Sequence, residues 1–170
     1  MTGAAAARDA QRSKVYAAEQ VVHALFDRAG TAPTLQIAGS TITLPPERRF
    51  ADLPSVQDYA DRVLGLDWVK DRWPVAGPVT VRERAGDRQA HYERETATIA
   101  VPGVVRGDRW ALRELVLLHE VAHHLTWTTG LGPHGPHFVA GYLELVDGVV
   151  GAEAAFVLRV TFAQSGVRAS

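Results

Sequence analysis

The predicted fold depends on one stretch of the sequence, Arg113-Glu-Leu-Val-Leu-Leu-His-Glu-Val-Ala-His-His124. Apolar residues recur along it at helical spacing, and the pattern predicts a long helix from Arg109 to about Trp127. His119 and His123 are four residues apart, so on a helix they share one face, with Cβ atoms about 5–6 Å apart. Glu120 follows His119 directly and is therefore rotated away from the line that joins the two histidines.

These three residues form an H-E-x-x-H pattern. Two imidazoles on one helical face can bind the same Zn²⁺ ion, each at about 2.0–2.1 Å. Because Glu120 is offset from the histidines, we expect its carboxylate to flank the metal and to act as general base and then general acid. The pattern therefore predicts His119 and His123 as zinc ligands and Glu120 as the catalytic residue.

A catalytic zinc site has three protein ligands and an open fourth position. The candidates for the third ligand follow the motif helix in the sequence: His134, His137 and Glu144. The Gly-Pro pair after His134 would fix a turn that projects this imidazole back toward the motif helix. His137 lies about one helical turn further on, and the position of Glu144 suits metalloproteases whose third ligand is a glutamate on the next helix. The spacing alone leaves the three candidates open.

Composition narrows the metal chemistry and the partners. The chain has 170 residues, seven histidines and no cysteine, which excludes disulfides, thiolate zinc sites and iron–sulfur clusters. Its 18 basic and 19 acidic residues give a net charge of −1, so neither nucleic acid nor an anionic membrane is the expected partner. The N-terminus lacks the apolar core of a signal peptide, which predicts a cytoplasmic protein. The sequence indicates no oligomeric state.

Periodicity and stop signals predict four further helices. They are expected over Ala10 to Arg28, over a stretch capped by Ser55, from about His134–His137 to Gly148, and over Ala152 to about Ala163. Asp108 is the expected N-cap of the motif helix.

Two regions have β character. The first, from Leu35 to Leu44, predicts a short hairpin or a kinked strand, and the second predicts an antiparallel pair between Val79–Glu83 and Ala97–Val101. With no linker and no repeat, the chain is predicted to be one domain over residues 1–170, of which about the first 12 could be disordered. The predicted class is α+β, with helices flanking a small, mostly antiparallel sheet.

Three stretches resemble a family of small zinc metallohydrolases from actinobacteria: Thr98-Ile-Ala-Val-Pro102, Arg113 to His124, and His134-Gly-Pro-His-Phe138. The resemblance extends from about Tyr16 to Val167. The last stretch is also similar to the His-Gly-Pro-x-Phe signature of SprT-like metalloproteases, whose first histidine is the third zinc ligand. This resemblance implies a zincin-like fold and places the third Zn²⁺ ligand at His134.

The resemblance also implies how a substrate binds. In zincin-like proteins a strand at the edge of the cleft binds an extended peptide by strand addition, and here that strand would lie within Ala97 to Val101. Differences from the SprT-like pattern are the shorter gap from His123 to His134, the histidine rather than glutamate at position 137, and the lack of a cysteine-rich zinc ribbon for DNA. The DNA-linked role therefore does not transfer.

We therefore predict a zinc-dependent metallohydrolase, and favour a metallopeptidase acting on a peptide or another carbonyl substrate. One alternative is a non-catalytic metal-binding or regulatory protein, in which His137 or Glu144 would close the fourth position. The other is a SprT-like DNA-associated protease, which would show salt-dependent DNA binding. We expect His124 to support the site rather than bind metal, and Tyr142 to be a core aromatic rather than an oxyanion donor.

Overall fold

The computed structural model describes residues 8–86, 89–102, 112–128 and 130–169. These residues form the helices and strands of an α+β protein, which confirms the predicted class. The helices are α1 (Arg12–Ala29), α2 (Leu53–Gly65), α3 (Asp67–Arg72), α4 (Glu114–Thr126), α5 (Pro136–Val149) and α6 (Ala152–Gln164). The strands are β1 (Thr34–Ile37), β2 (Ser40–Thr43), β3 (Thr80–Arg84), β4 (His91–Glu93) and β5 (Thr98–Pro102).

The chain divides into two compact units. The first contains the residues up to Pro46 and those from Thr126 onward, and the second runs from Glu47 to Leu125. The single domain over residues 1–170 stays a prediction. Of the N-terminal residues expected to be disordered, 1–7 lie outside the described residues, whereas residues 8–12 are described and make the contacts given below. None of the helices in the described ranges is both long and apolar enough to cross a membrane.

Helices form the core of the first unit, in which α1 and α5 both pack against α6. Val15, Ala18 and Val22 of α1 are fully buried, as the helical spacing of its apolar residues predicts. Strands β1 and β2 form an antiparallel hairpin, which is one of the two predicted alternatives. Its two turn residues, Ala38 and Gly39, both have positive φ angles, as a type I′ turn requires.

A three-stranded sheet lies in the second unit, with the order β3-β5-β4. The predicted antiparallel pairing of the segments Val79–Glu83 and Ala97–Val101 is wrong, because β3 and β5 are parallel. Strand β4 lies between them in the sequence and runs antiparallel to β5, so the chain reverses direction twice before β5 begins. Parallel neighbours need a connection of about a dozen residues, and the segment that contains β4 provides it.

The central place of β5 changes the expectation for peptide binding. This strand is hydrogen-bonded to β3 on one side and to β4 on the other, so the strand predicted to bind an extended peptide is not an edge strand. The start of the outer edge of β3 is also occupied: the side chain of Gln57 donates to the carbonyl oxygen of Val79 at 3.0 Å and accepts from the amide of Val81 at 2.7 Å. Strand β4 forms the opposite edge of this sheet.

The predicted N-cap of α2 is displaced by one turn. The N-cap is Asp52, whose carboxylate accepts from the backbone amide of Ser55 at 2.9 Å. Ser55 is the third helical residue and its hydroxyl accepts in return from the amide of Asp52, which completes a capping box. The hydrogen bonds from Ser55 lower the pKa of Asp52.

Helix α4 begins at Glu114, so the predicted start at Arg109 is wrong: Leu112 and Arg113 are described and lie outside the helix, and Arg113 forms an antiparallel β-bridge with Arg49. The predicted cap, Asp108, lies outside the described residues. A pair of buried charges fixes this end of the helix. Arg113 donates to both carboxylate oxygens of Glu47, at 2.9 and 2.6 Å, and the amide of Leu115 donates to the same carboxylate at 3.1 Å. Glu47 thereby satisfies one of the free amides at the start of the helix.

A second buried carboxylate, that of Glu114, strengthens the same attachment. It accepts from the backbone amide of Arg48 at 3.0 Å, from the Arg48 guanidinium at 2.8 Å and from the hydroxyl of Tyr59. Burial and the neighbouring Glu114 carboxylate raise the pKa of Tyr59, so its hydroxyl keeps the proton that it donates. The helix that carries the H-E-x-x-H pattern therefore starts from a rigid, charge-paired anchor.

Breaking the Arg113–Glu47 pair is expected to destabilise the fold. Both side chains are only 4% exposed, so the Arg113→Ala variant leaves the buried Glu47 carboxylate without its closest charged partner, at a cost of about 3–5 kcal/mol. Arg49→Ala is the matched control, because Arg49 is 47% exposed and its nitrogen lies 3.7 Å from the same carboxylate; its cost is at most about 1 kcal/mol. Urea unfolding measures the loss of stability in each variant. Equal losses would contradict the assignment of Arg113 as the main partner of the Glu47 carboxylate.

Candidate metal centre

Two of the predicted ligands lie on α4 as the spacing requires. His119 and His123 are 2% and 8% exposed, and their Nε2 atoms are 3.1 Å apart. Two nitrogens that share a tetrahedral zinc ion, each at about 2.0–2.1 Å, are roughly 3.3 Å from each other. The two imidazoles are therefore close to the separation at which they could bind the same ion.

The third histidine comes from the turn that precedes α5. Pro136 is the first residue of that helix and Gly135 is its N-cap, which places His134 just outside the helix. Each of the buried residues His119, His123 and His134 offers one ligand atom, and these atoms all lie within 4.8 Å of one another. The three histidines lie close enough together to bind a metal ion.

A carboxylate determines which nitrogen of His134 can face a metal. Nδ1 of His134 lies 2.8 Å from Oδ2 of Asp9, and the backbone amide of His134 donates to Oδ1 of Asp9 at 3.3 Å. A carboxylate only accepts hydrogen bonds, so Nδ1 carries the proton and Nε2 is the nitrogen with a lone pair for a metal. Metal-bound histidines commonly have this arrangement.

Gln11 holds the backbone at the same place. Its side-chain amide donates to the carbonyl oxygens of His134 and Arg168, both at 3.1 Å, and its oxygen accepts from the amide of Arg168 at 2.7 Å. The His134 ring also contacts the rings of Tyr16 and Phe138, with centroid distances of 5.2 Å to each. These contacts restrict both the ring and the main chain of His134.

The other two candidates for the third ligand are not in this group. His137 is half-buried and Glu144 is exposed, and within residues 8–86, 89–102, 112–128 and 130–169 the group of three contains neither. Burial lowers the pKa of His137, which favours its neutral form. Of the three open alternatives, only His134 belongs to the group of potential ligands in the described part of the chain.

Glu120 lies next to His119 in α4 and is 3% exposed. It is not a member of the group of potential metal ligands that the described residues form. This agrees with the offset predicted from helical geometry, in which the carboxylate flanks the two imidazoles and does not join them. Glu120 therefore stays the predicted proton-transfer residue, next in the sequence to one of the three potential ligands.

Both ring nitrogens of His124 form hydrogen bonds to residues outside the three-histidine group. Its Nε2 donates to the carbonyl oxygen of Gly77 at 2.7 Å, and its Nδ1 accepts from the hydroxyl of Tyr92 at 2.9 Å. Burial lowers the pKa of His124, which favours the neutral tautomer that these two bonds require. The contacts agree with the supporting role expected for His124, since they tie α4 to strand β4.

Tyr142 lies in the aromatic core of the first unit. Its ring is fully buried, stacks on Phe138 with centroids 6.0 Å apart, and lies 6.3 Å from the ring of Phe162. These contacts favour the core interpretation over the oxyanion donor.

Asp9 and Gln11 are the residues of this centre that sequence reasoning missed. They precede His134 by 125 and 123 residues. Both lie within the first 12 residues, which from the sequence could be disordered, and no spacing pattern connects them to the histidines. A tertiary hydrogen bond between residues so far apart leaves no periodic signal in the sequence.

Comparisons with protein-family models, with curated proteins and with solved structures give no match. The function is therefore argued from the chemistry of the three histidines and their neighbours.

Proposed function

We propose that this chain is a zinc-dependent metallohydrolase of zincin-like fold, and specifically a metallopeptidase, in which His119, His123 and His134 hold Zn²⁺. The proposal rests on one observation: three buried imidazoles lie close together, and two of them belong to a helix with the H-E-x-x-H pattern. Neutral imidazole nitrogen is a preferred zinc donor. The donor set fits the ion, and three protein ligands leave one position for a water or a substrate.

Zinc, when bound, supplies Lewis acidity, which lowers the pKa of a coordinated water to about 7 and polarises a substrate carbonyl. Glu120 supplies the proton transfer. Its carboxylate accepts a proton from the attacking water and later gives it to the leaving nitrogen of the cleaved amide. Asp9 keeps the proton of His134 on Nδ1, so that Nε2 is the atom presented to the ion.

The placement of the remaining candidates supports an enzyme over a purely metal-binding protein. A closed site with four protein ligands would favour the non-catalytic alternative, and His137 and Glu144 were the residues expected to close it. Neither belongs to the group of potential ligands found among the described residues. A position for substrate therefore stays available in the proposed site.

The proposal extends to the substrate, the cellular location and the partners. We propose a peptide or related carbonyl substrate, a cytoplasmic location and no nucleic-acid partner. The net charge of −1 supports the last of these, since binding to nucleic acid depends strongly on positive charge. Salt-dependent binding to DNA would instead favour a DNA-associated protease.

The activity is tested with a mixture of synthetic peptides incubated with the zinc-loaded protein, with cleavage products measured by mass spectrometry. We expect cleavage that stops when the chelator 1,10-phenanthroline is added and returns when excess Zn²⁺ is restored, because the proposed hydrolysis requires the metal. Cleavage that is indifferent to the chelator would contradict the proposal. A protein that binds one zinc ion and leaves every peptide intact would favour the non-catalytic alternative.

A further inference from the structure

We propose that Asp9 is a positioning residue of the metal centre, which sets the tautomer and the direction of the His134 ring and thereby strengthens metal binding. This inference rests on the proposed function, since it concerns the same three histidines. It assigns a role in that centre to the N-terminal segment, which from the sequence alone could be disordered.

The contact is made through both carboxylate oxygens. Oδ2 of Asp9 lies 2.8 Å from Nδ1 of His134, and Oδ1 lies 3.3 Å from the backbone amide nitrogen of the same residue. Holding the side chain and the main chain of one residue leaves the ring little freedom to rotate. Because the carboxylate can only accept, the tautomer with the proton on Nε2, which could not bind a metal through that atom, is disfavoured.

A glycine makes this close approach possible. A Cβ atom added to Gly132 would lie 3.0 Å from the carbonyl oxygen of Arg8 and 3.7 Å from the Cα of Asp9. The backbone before Asp9 thus packs directly on the loop that leads into His134. A side chain at position 132 would require the main chain of Arg8 to shift by a few tenths of an ångström, so Gly132 offers a way to disturb the contact without removing the carboxylate.

Gln11 keeps the same segment in place from its other side. Its side chain is hydrogen-bonded to the main chain of both His134 and Arg168 and is 7% exposed overall. The N-terminal segment is therefore attached to the His134 loop at Gly132, through Asp9 and through Gln11. A carboxylate held so firmly is preorganised, and it raises the basicity of the imidazole to which it is bonded.

The first measurement is zinc affinity, by competition with a chromophoric chelator, for wild type, Asp9→Ala, Asp9→Asn and Gly132→Ala. We expect Asp9→Ala to bind zinc about 10–100-fold more weakly, the usual effect of losing a hydrogen-bonding partner of a ligand. Gly132→Ala should weaken zinc binding in the same direction and by less, because it shifts the carboxylate without removing it. Asp9→Asn should lose less, because its amide oxygen can still accept from Nδ1. The controls are Asp71→Ala, on the exposed surface of α3, and Gly65→Ala, where an added Cβ meets no atom within 4 Å.

The second measurement is the tautomer of His134 in the zinc-free protein, from long-range ¹H–¹⁵N correlation spectra. Wild type should carry the proton on Nδ1, and Asp9→Ala should show a shift toward the Nε2 form, which a purely structural role of Asp9 would not produce. Circular dichroism confirms that each variant is folded, and Asp9→Asn and Gly132→Ala keep the test decisive if Asp9→Ala does not fold.

The outcomes separate the two proposals. Folded Asp9 and Gly132 variants with wild-type zinc affinity, or an unchanged tautomer in Asp9→Ala, would overturn the positioning role and leave the proposed function standing. A wild-type protein that binds no zinc would overturn the proposed function, and the role of Asp9 in strengthening metal binding would fail with it.

Discussion

The Glu120→Gln variant is expected to bind zinc as wild type does and to hydrolyse peptides about 10²–10⁴-fold more slowly. Glutamine has nearly the same shape as glutamate, but its amide oxygen is a poor proton acceptor at neutral pH. Glu120 is outside the group of potential metal ligands, so the zinc affinity should not depend on its charge. The measurements are kcat/KM on a cleaved peptide and zinc content on the same samples.

Glu144→Gln is the matched control for this variant, because Glu144 is an exposed glutamate on α5 that belongs to no metal-ligand group in the described chain. It should keep both zinc and activity. Wild-type hydrolysis by Glu120→Gln would remove the proposed general base. Loss of zinc from that variant would instead make Glu120 a ligand, which the helical offset does not allow.

The His134→Ala variant is expected to lose both zinc and hydrolysis. Removing one of three ligands should cost more than the loss of a ligand's hydrogen-bonding partner, so we expect zinc affinity to fall by more than about 100-fold. His119→Ala should behave in the same way, because His119 is also one of the three proposed ligands. Its Nε2 lies 3.1 Å from that of His123. Competition with a chelator measures the affinities, and peptide cleavage measures the activity.

His137→Ala provides the contrast within the same loop and helix. His137 is half-buried and does not belong to the three-histidine group, so its removal should leave zinc binding near that of wild type. If His137→Ala loses zinc and His134→Ala retains it, the assignment of the third ligand is wrong. Equal loss in both variants would indicate a closed site with four protein ligands, as the non-catalytic alternative requires.

Five of the six helices in the described residues, and the pair of ligands on α4, could be predicted because their signals are local, whereas the short helix α3 was not predicted. The last helix, expected over Ala152 to about Ala163, is observed over Ala152–Gln164, and the helix after His134 ends one residue beyond the predicted Gly148. His119 and His123 share a face because of helical geometry alone. The third ligand needed the resemblance of the His134 signature, since spacing left three candidates.

What the sequence could not predict depends on contacts between distant residues. Strand β4 is only three residues long, too short for an alternating pattern, and without it the pairing of β3 with β5 was assigned the wrong direction. Gln57 at the edge of β3 and Asp9 beside His134 are single polar side chains with no periodic context. Their roles become apparent only once the fold brings their partners to them.

The most direct measurement is anomalous X-ray scattering at the zinc absorption edge from crystals of the zinc-loaded protein. The predicted result is one strong peak about 2.0–2.1 Å from one nitrogen each of His119, His123 and His134, with no fourth protein ligand. Either no peak near these three imidazoles, or a peak whose ligands include His137 or Glu144, would contradict the proposed site.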